Sequence, residues 1–116
     1  MVCDPAKVDN FISKLEKILN KPGSFQLIPR KKNLDAIYKM GLSIDTVKEY
    51  IKNLTRENYC EGPKKDENDN FSGKVWIFGK KIDGVIFYIK LKIKKDSLLC
   101  CLSFHDAKYN MKFPFR

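Results

Sequence analysis

Apolar residues recur at two different spacings along this chain, and the spacing changes near Lys74. Residues 4–20 carry apolar side chains at intervals of three and four, which predicts one helix with a single hydrophobic stripe. Asp4 suits the cap of this helix, Pro5 suits its first turn, and residues 21–23 end it. We expect the stripe to pack on the domain's own sheet rather than to bind a partner.

Two more helices and a short strand are predicted before the spacing changes. Residues 24–29 form the strand, which Pro29 closes. Asn33 suits the cap of a helix that ends at Gly41, and Ser43 suits the cap of the next one. Because so few residues connect these two helices, we expect them to pack as a corner or a hairpin.

A polar segment at residues 58–73 follows neither spacing, and we expect an irregular surface loop there. Its alternating Asp66, Asn68 and Asn70 are similar to a calcium-binding loop. Phe71, however, stands where such a loop needs glycine, and no closing glutamate follows, so the sequence does not predict a calcium site.

From Lys74 onward, alternation of apolar and polar residues predicts three strands, with the sequences KVWIFGKKI, VIFYIKLKIKK and LLCCLSFH. Asp83-Gly84 is a strong hairpin-turn signal between the first two strands, and residues 95–97 supply the second turn. The expected fold is one α+β domain, in which about three helices pack on a small antiparallel sheet made of this meander and the earlier short strand. Its expected parts are a helix and turn (1–23), a strand, two helices and a loop (24–73), and the meander and tail (74–116).

The lengths of the two turns set the expected register and therefore the two faces of the sheet. A two-residue turn at Asp83-Gly84 places Trp76 opposite Leu91 on an apolar face. A two-residue turn at Asp96-Ser97 would pair Leu91 with Leu102 on the same face. The opposite face then collects polar side chains: Tyr88, Lys90, Lys92, Ser103 and His105.

Two cross-strand pairs on this polar face place polar side chains next to each other. His105, the only histidine, lies opposite Tyr88, and Ser103 lies opposite Lys90 in the expected register. Gly79 also lies opposite Tyr88, on its other side. Since glycine has no side chain, we expect open space above the phenol in which a ligand could bind.

The net charge of the chain suggests which kinds of ligand could bind there. Lys and Arg number 23 against 14 Asp and Glu, which gives a net charge of +9 over 116 residues. This excess favours polyanions such as RNA, the ribosome, an anionic membrane surface or an acidic protein partner, although a solvated lysine-rich surface is also compatible with it. With no signal peptide and no apolar run that could span a membrane, we expect a cytoplasmic protein. The four cysteines lack metal-site spacing, so we expect reduced thiols and neither metal nor cofactor.

RNA cleavage without a metal needs groups that move protons and positive charge for the phosphorane oxygens. His105 could serve as base or acid, and Tyr88 could donate a hydrogen bond or stack on a base. The lysines that could position phosphate are Lys64, Lys65, Lys90 and Lys92. Each of these residue types is also common on solvated surfaces, so the face favours contact with nucleic acid without establishing catalysis.

Several segments, in this order, resemble the MqsR-like toxins of bacterial toxin–antitoxin systems, within the RelE-like group of small ribonucleases. They are Tyr-x-x-Gly-Pro (59–63), V-W-x-F (75–78), Y-I-K-L-K (88–92) and S-F-H (103–105), and the likeness runs from Asn33 onward. The resemblance implies a RelE- or barnase-like α+β fold and a metal-independent endoribonuclease acting on mRNA, free or on the ribosome. It also implies a cognate antitoxin, which we expect to contain a helix-turn-helix.

The resemblance also assigns roles to residues. Tyr88 falls on the family's active-site tyrosine, and His105 falls on a basic residue of the last strand where some relatives have lysine. We expect Tyr59 and Ser103 to contribute to substrate binding. Two positions differ from the family, because Cys60 replaces a lysine and Ile77 replaces a glutamine. Hence a non-catalytic RNA- or ribosome-binding module using the same face is an alternative, and a protein-interaction domain is a third.

Overall fold

Three helices pack against a five-stranded sheet in the computed structural model, which describes residues 2–66 and 73–116. The helices are α1 (Pro5–Leu19), α2 (Lys31–Met40) and α3 (Ile44–Lys52). The strands are β1 (Phe25–Leu27), β2 (Tyr59–Lys65), β3 (Lys74–Ile82), β4 (Val85–Lys94) and β5 (Leu98–Asp106). The expected α+β class is confirmed, with one strand more than expected. Within the described ranges, no helix has the length and apolar character needed to cross a membrane.

The strands lie in the order β1-β5-β4-β3-β2. The predicted meander β3-β4-β5 is antiparallel and forms the centre of the sheet, while β1 runs parallel to β5 at one edge. Because β1 pairs only with Leu99–Cys101, the second half of β5 has no strand on that side among the residues that the structure describes. Helix α2 lies there instead.

The apolar stripe of α1 forms part of the main core, as expected. Asp4 caps the helix by accepting a hydrogen bond from the Ala6 amide at 2.8 Å, and Pro5 is its first residue. Phe11 stacks on Trp76 of β3, with 4.4 Å between the ring centroids. Helix α1 therefore covers the apolar face of the sheet, and the polar face of β4 lies on the opposite side.

Asn33 is not a helix cap, contrary to the sequence prediction, because α2 begins two residues earlier at Lys31. The Asn33 side chain is buried and takes the place of a neighbouring strand at the edge of β5. Its amide donates to the carbonyls of Ile28 (2.8 Å) and Leu102 (3.1 Å), and its oxygen accepts from the Phe104 amide (2.9 Å). These three bonds fix α2 beside the end of β5 that carries His105.

The prediction of an irregular loop over 58–73 is wrong for Tyr59–Lys65, which form the edge strand β2. This strand pairs with β3 through two register shifts, so its residues do not alternate as a regular strand does. Gly62 has φ +118°, and a Cβ there would lie 2.7 Å from the carbonyl oxygen of Val75. Glycine is therefore required by both the backbone angle and the close approach of β3. Of the rejected calcium motif, Asn68, Asn70 and Phe71 lie outside the described residues.

The predicted register of β3 on β4 is confirmed, with Trp76 opposite Leu91 and Gly79 opposite Tyr88. On β5, Tyr88 pairs with His105 and Lys90 pairs with Ser103, also as predicted. The expected pair of Leu91 with Leu102 is wrong, since Leu91 pairs with Cys101.

A bulge between Lys90 and Leu91 explains this local difference. The second turn contains three residues, 95–97, rather than two, and Lys95 and Asp96 both adopt positive φ. The longer turn shifts the register by one residue near the hairpin end, and the bulge restores it before the Lys90 row. The Tyr88–His105 row is therefore where the sequence predicts it.

Candidate functional site

Tyr88 and His105 form a stacked pair on the face of the sheet opposite α1. Their ring centroids lie 5.5 Å apart and the ring planes differ by 15°. The Nδ1 atom of His105 lies 3.0 Å from the carbonyl oxygen of Asp106. Because that oxygen can only accept, this contact favours the tautomer with the proton on Nδ1. Nε2 then carries the lone pair, which a general base requires.

The Tyr88 phenol is held in its neutral form. Burial is the main cause that raises the pKa of Tyr88 above its ordinary value; Glu61 raises this pKa further, while Lys64 lowers it. The side chain is half-buried, so the hydroxyl stays protonated at neutral pH and can donate a hydrogen bond. Tyr88 thus offers a donor beside the His105 imidazole.

Lys90 and Ser103 lie in the next cross-strand row. Lys90 is half-buried and forms no ion pair with any residue that the structure describes, whereas Ser103 is buried. The row continues to Ile77 on β3 and Glu61 on β2. Lys90 is therefore the ammonium group of β4 that is placed to meet an anion near the Tyr88–His105 pair.

Lys92 has a different environment from Lys90. Its side chain is only 1% exposed and forms an ion pair of 2.9 Å with Asp66, which is 5% exposed. Beside it, Val75, Cys100 and Leu102 form a small apolar cluster on the same face of the sheet. The expectation that Lys92 meets a phosphate does not fit this placement, because the ammonium is out of reach of solvent.

Tyr59 likewise lies inside the protein. It is fully buried, and its hydroxyl donates to the Gly62 carbonyl and accepts from the Cys3 amide. Its ring contacts three aromatic rings of the core: Trp76, Phe78 and Phe115. The Tyr-x-x-Gly-Pro segment therefore has a structural explanation, since the tyrosine fixes the glycine carbonyl within an irregular strand.

Lys64 and Lys65 lie at the end of β2, at the side of the site. Lys64 forms an ion pair with Glu61 at 3.0 Å and is close enough to affect the pKa of Tyr88. Lys65 is exposed and pairs with Lys74 at the far end of the strand. Of the two lysines, Lys64 is the one that the structure brings near Tyr88.

The space over Gly79 is filled. A Cβ at this position would lie 2.7 Å from Phe113 Cζ and 2.9 Å from Met111 Sδ. Gly79 therefore does not provide the open space that we expected above the Tyr88 phenol, because the segment after β5 folds back across this part of the sheet.

That segment brings one residue to the site that sequence reasoning did not assign. Tyr109 lies beside Tyr88, with 6.2 Å between ring centroids and 65° between planes. Burial raises the pKa of the Tyr109 phenol, and the nearby Cys60 thiol of β2 raises it further. A signal was present in the sequence, since residues 109, 111, 113 and 115 alternate as bulky side chains in an extended segment.

Two cavities lie near the pair, one lined by His105 and the other by Tyr109. One of about 160 Å³ lies between α2 and the end of β5, and its lining includes His105, Lys32, Lys39 and Lys108. The other, of about 660 Å³, lies beside β2 and is lined by Cys60, Glu61, Tyr109 and Lys112, among others. His105 therefore borders open space beside α2, Tyr109 borders open space beside β2, and the lining of each cavity includes at least one lysine.

Comparison with known proteins gives one finding. No curated protein matches the chain. A model of the protein family described as "Motility quorum-sensing regulator, toxin of MqsA" matches residues 12–106. The match includes both residues of the stacked pair and ends before Tyr109. The chain therefore belongs to the MqsR toxin family, and this membership makes it a toxin of a toxin–antitoxin system.

Proposed function

We propose that the chain is a metal-independent endoribonuclease that cleaves mRNA by attack of a 2′-hydroxyl on the adjacent phosphorus. The observation that carries this proposal is the stacked Tyr88–His105 pair, with a base and a donor side by side and Lys90 in the next row. Membership of a toxin family supports it, because destroying mRNA stops growth.

In the proposed reaction, His105 Nε2 takes the proton from the 2′-hydroxyl as the new O2′–P bond forms. The P–O5′ bond breaks, and the leaving oxygen takes a proton from the Tyr88 phenol, which solvent then replaces. The products are a 2′,3′-cyclic phosphate and a 5′-hydroxyl. No electrons are transferred, and the proton balance closes through solvent.

Lys90 supplies the positive charge that this reaction needs. Charge develops on the non-bridging oxygens of the phosphorane, and a half-buried ammonium stabilises it more than an exposed one does. Lys64, although paired with Glu61, lies near Tyr88 and adds to the local positive potential. We assign Lys90 to the scissile phosphate and Lys64, with Lys65, to the RNA backbone beside it.

A non-catalytic RNA- or ribosome-binding module remains the second candidate, and Ile77 and Cys60 are the observations that favour it. Ile77 is buried and apolar, so it cannot replace a glutamine amide as a donor. A thiol can only be neutral or negative, and burial raises the pKa of Cys60 and so favours the neutral form; the residue cannot replace a lysine as a cation. The two candidates share a binding face and differ only in whether a product forms.

The cognate antitoxin is the second proposed partner, and we infer that it contains a helix-turn-helix. Membership of the family implies that the chain has an antitoxin. That this antitoxin contains a helix-turn-helix is our proposal. The net charge of +9 favours an acidic surface on the antitoxin where it meets this chain.

The test is cleavage of mRNA by the purified protein in EDTA, with and without ribosomes, compared among the wild type, His105→Ala, Tyr88→Phe and Lys90→Ala. Lys17→Ala, at an exposed position of α1, is the matched control for the lysine. We expect a cyclic-phosphate product from the wild type and from the control. RNA binding without any product, on or off the ribosome, would establish the binding module instead.

A further inference from the structure

Residues 107–116 lie beyond the part of the chain that the family model matches, and yet they pack against the candidate site. The Ala107 amide donates to the Ile86 carbonyl at 2.8 Å, so the segment begins as a continuation of the pairing between β5 and β4. Phe113 then covers Gly79, and Phe115 stacks on the buried Tyr59 with 5.4 Å between centroids. The segment is therefore fixed to the sheet at several points along its length.

Within this segment, Tyr109 is both anchored and exposed. Its ring meets Tyr88 edge-on, with 6.2 Å between the centroids, and the chain on either side of it is fixed to the sheet through Ala107 and Phe113. The residue nevertheless keeps 54% of its surface exposed. A ring held in one orientation loses little conformational entropy when a flat ligand stacks on it.

The cavity beside Tyr109 has the chemistry of a nucleotide site. Its volume is about 660 Å³, and its wall combines the rings of Tyr109 and Phe113 with the Lys112 cation. An aromatic surface next to a lysine suits a nucleobase whose phosphate lies nearby. Since Tyr88 adjoins Tyr109, a base on this ring would belong to a nucleotide next to the reacting phosphate.

We propose that Tyr109 is a substrate-binding residue that stacks on the RNA base next to the scissile phosphate, and that residues 107–116 form a second wall of the RNA site. The inference rests on the proposed ribonuclease function, whose substrate it helps to position. It adds a contact that lies outside the residues shared with the family.

Binding is measured with single-stranded RNA oligonucleotides of mixed sequence whose 2′ oxygens are methylated, because these lack the attacking hydroxyl. Fluorescence anisotropy is recorded at several salt concentrations for the wild type, Tyr109→Ala, Tyr109→Phe and Tyr109→Trp. Tyr38→Ala is the matched control, since Tyr38 is 89% exposed on α2. Thermal unfolding of each variant checks that the fold is kept.

We expect Tyr109→Ala to lower the RNA affinity about tenfold, because one base–aromatic stack is lost. The variants with phenylalanine and tryptophan keep a ring and should bind within about twofold of the wild type. The salt dependence should be unchanged in Tyr109→Ala, since no phosphate contact is removed, whereas Lys90→Ala should reduce it.

The inference is overturned if Tyr109→Ala binds as tightly as the wild type, or if no variant has any affinity for RNA. It is also overturned if Tyr109→Phe loses as much affinity as Tyr109→Ala, because the hydroxyl and not the ring would then matter. Cleavage of unmodified mRNA by the wild type is scored separately. Tyr109-dependent binding without cleavage refutes the proposed function alone, and cleavage with Tyr109-independent binding refutes this inference alone.

Discussion

The rings of Tyr88 and His105 lie almost parallel on neighbouring strands, with 5.5 Å between their centroids. The hydrogen bonds of the sheet fix the backbone positions of this cross-strand pair, and contacts with Tyr109 and with the Asp106 carbonyl add to the support of the two side chains.

Replacing His105 by alanine should reduce RNA cleavage about 10²-fold or more, because the proposed reaction loses its base. Tyr88→Phe should reduce cleavage by a smaller factor, since water can replace the lost donor. Single-turnover cleavage rates in EDTA provide the measurement. The Tyr38→Phe control should cleave at the wild-type rate, and equal rates in His105→Ala and the wild type would contradict the mechanism.

Breaking the buried ion pair between Lys92 and Asp66 should destabilise the fold strongly. Lys92→Ala leaves a buried carboxylate without this partner, and we expect the free energy of unfolding to fall by about 3–5 kcal/mol. Urea unfolding measures this loss, and Lys90→Ala on the same strand is the control, with an expected change below about 1 kcal/mol.

A double-mutant cycle with Asp66→Asn separates the pair from other contacts of Lys92. The two single changes should be strongly non-additive. Additive effects would show that the ion pair contributes little, and that the loss in Lys92→Ala comes from packing of the aliphatic chain.

Gly79→Ala should displace the segment after β5. The added Cβ would lie 2.7 Å from the ring of Phe113, and we expect a loss of about 1–3 kcal/mol from overpacking. Combining it with Phe113→Leu should recover part of this loss, because the smaller side chain makes room.

Thermal or urea unfolding of the two single variants and the double variant tests this relationship. If Gly79→Ala is as stable as the wild type, the segment does not pack over Gly79 as described. If the losses simply add, the clash with Phe113 is not their cause.

The stability of the fold should decrease above pH 10 partly because of Tyr59. Burial is the first cause that raises the pKa of Tyr59 to about 12, against an ordinary value of 10.0. The folded state therefore keeps a proton that the unfolded chain releases, and this contribution is complete below about pH 10 and is lost as the pH rises to about 12. Tyr59→Phe removes one titrating group.

Urea unfolding between about pH 9 and about pH 12 measures this effect. Tyr59→Phe should be less stable than the wild type at neutral pH, because the Gly62 carbonyl loses its donor, and its stability should fall less steeply with pH. Parallel curves for the two proteins would contradict the prediction.

Local sequence patterns predicted the centre of the sheet because the faces and the register of its strands depend on residues that are close together in the chain. Alternation defined the faces of β3, β4 and β5, and the Asp83-Gly84 turn set the register between the first two. The pairs around Tyr88 were correct despite a wrong turn length, since the bulge after Lys90 compensates for the extra turn residue.

Contacts between distant parts of the chain were not predictable from such patterns. The burial of Lys92 depends on Asp66, 26 positions away and after an unpredicted strand. That strand was missed because its two register shifts remove the alternation by which strands are recognised. Met111 and Phe113 fill the space over Gly79. No local pattern specifies the path of the segment that carries these two residues.

The bulge between Lys90 and Leu91 has a consequence for how this sequence can diverge. It separates the hairpin end, where the pairing follows the three-residue turn, from the Tyr88–His105 row. Insertion or deletion of one residue in the turn can therefore be absorbed by gain or loss of the bulge while the reacting row stays aligned. Among related toxins, the length of this turn and the presence of the bulge should be inherited together, independently of the residues that perform the chemistry.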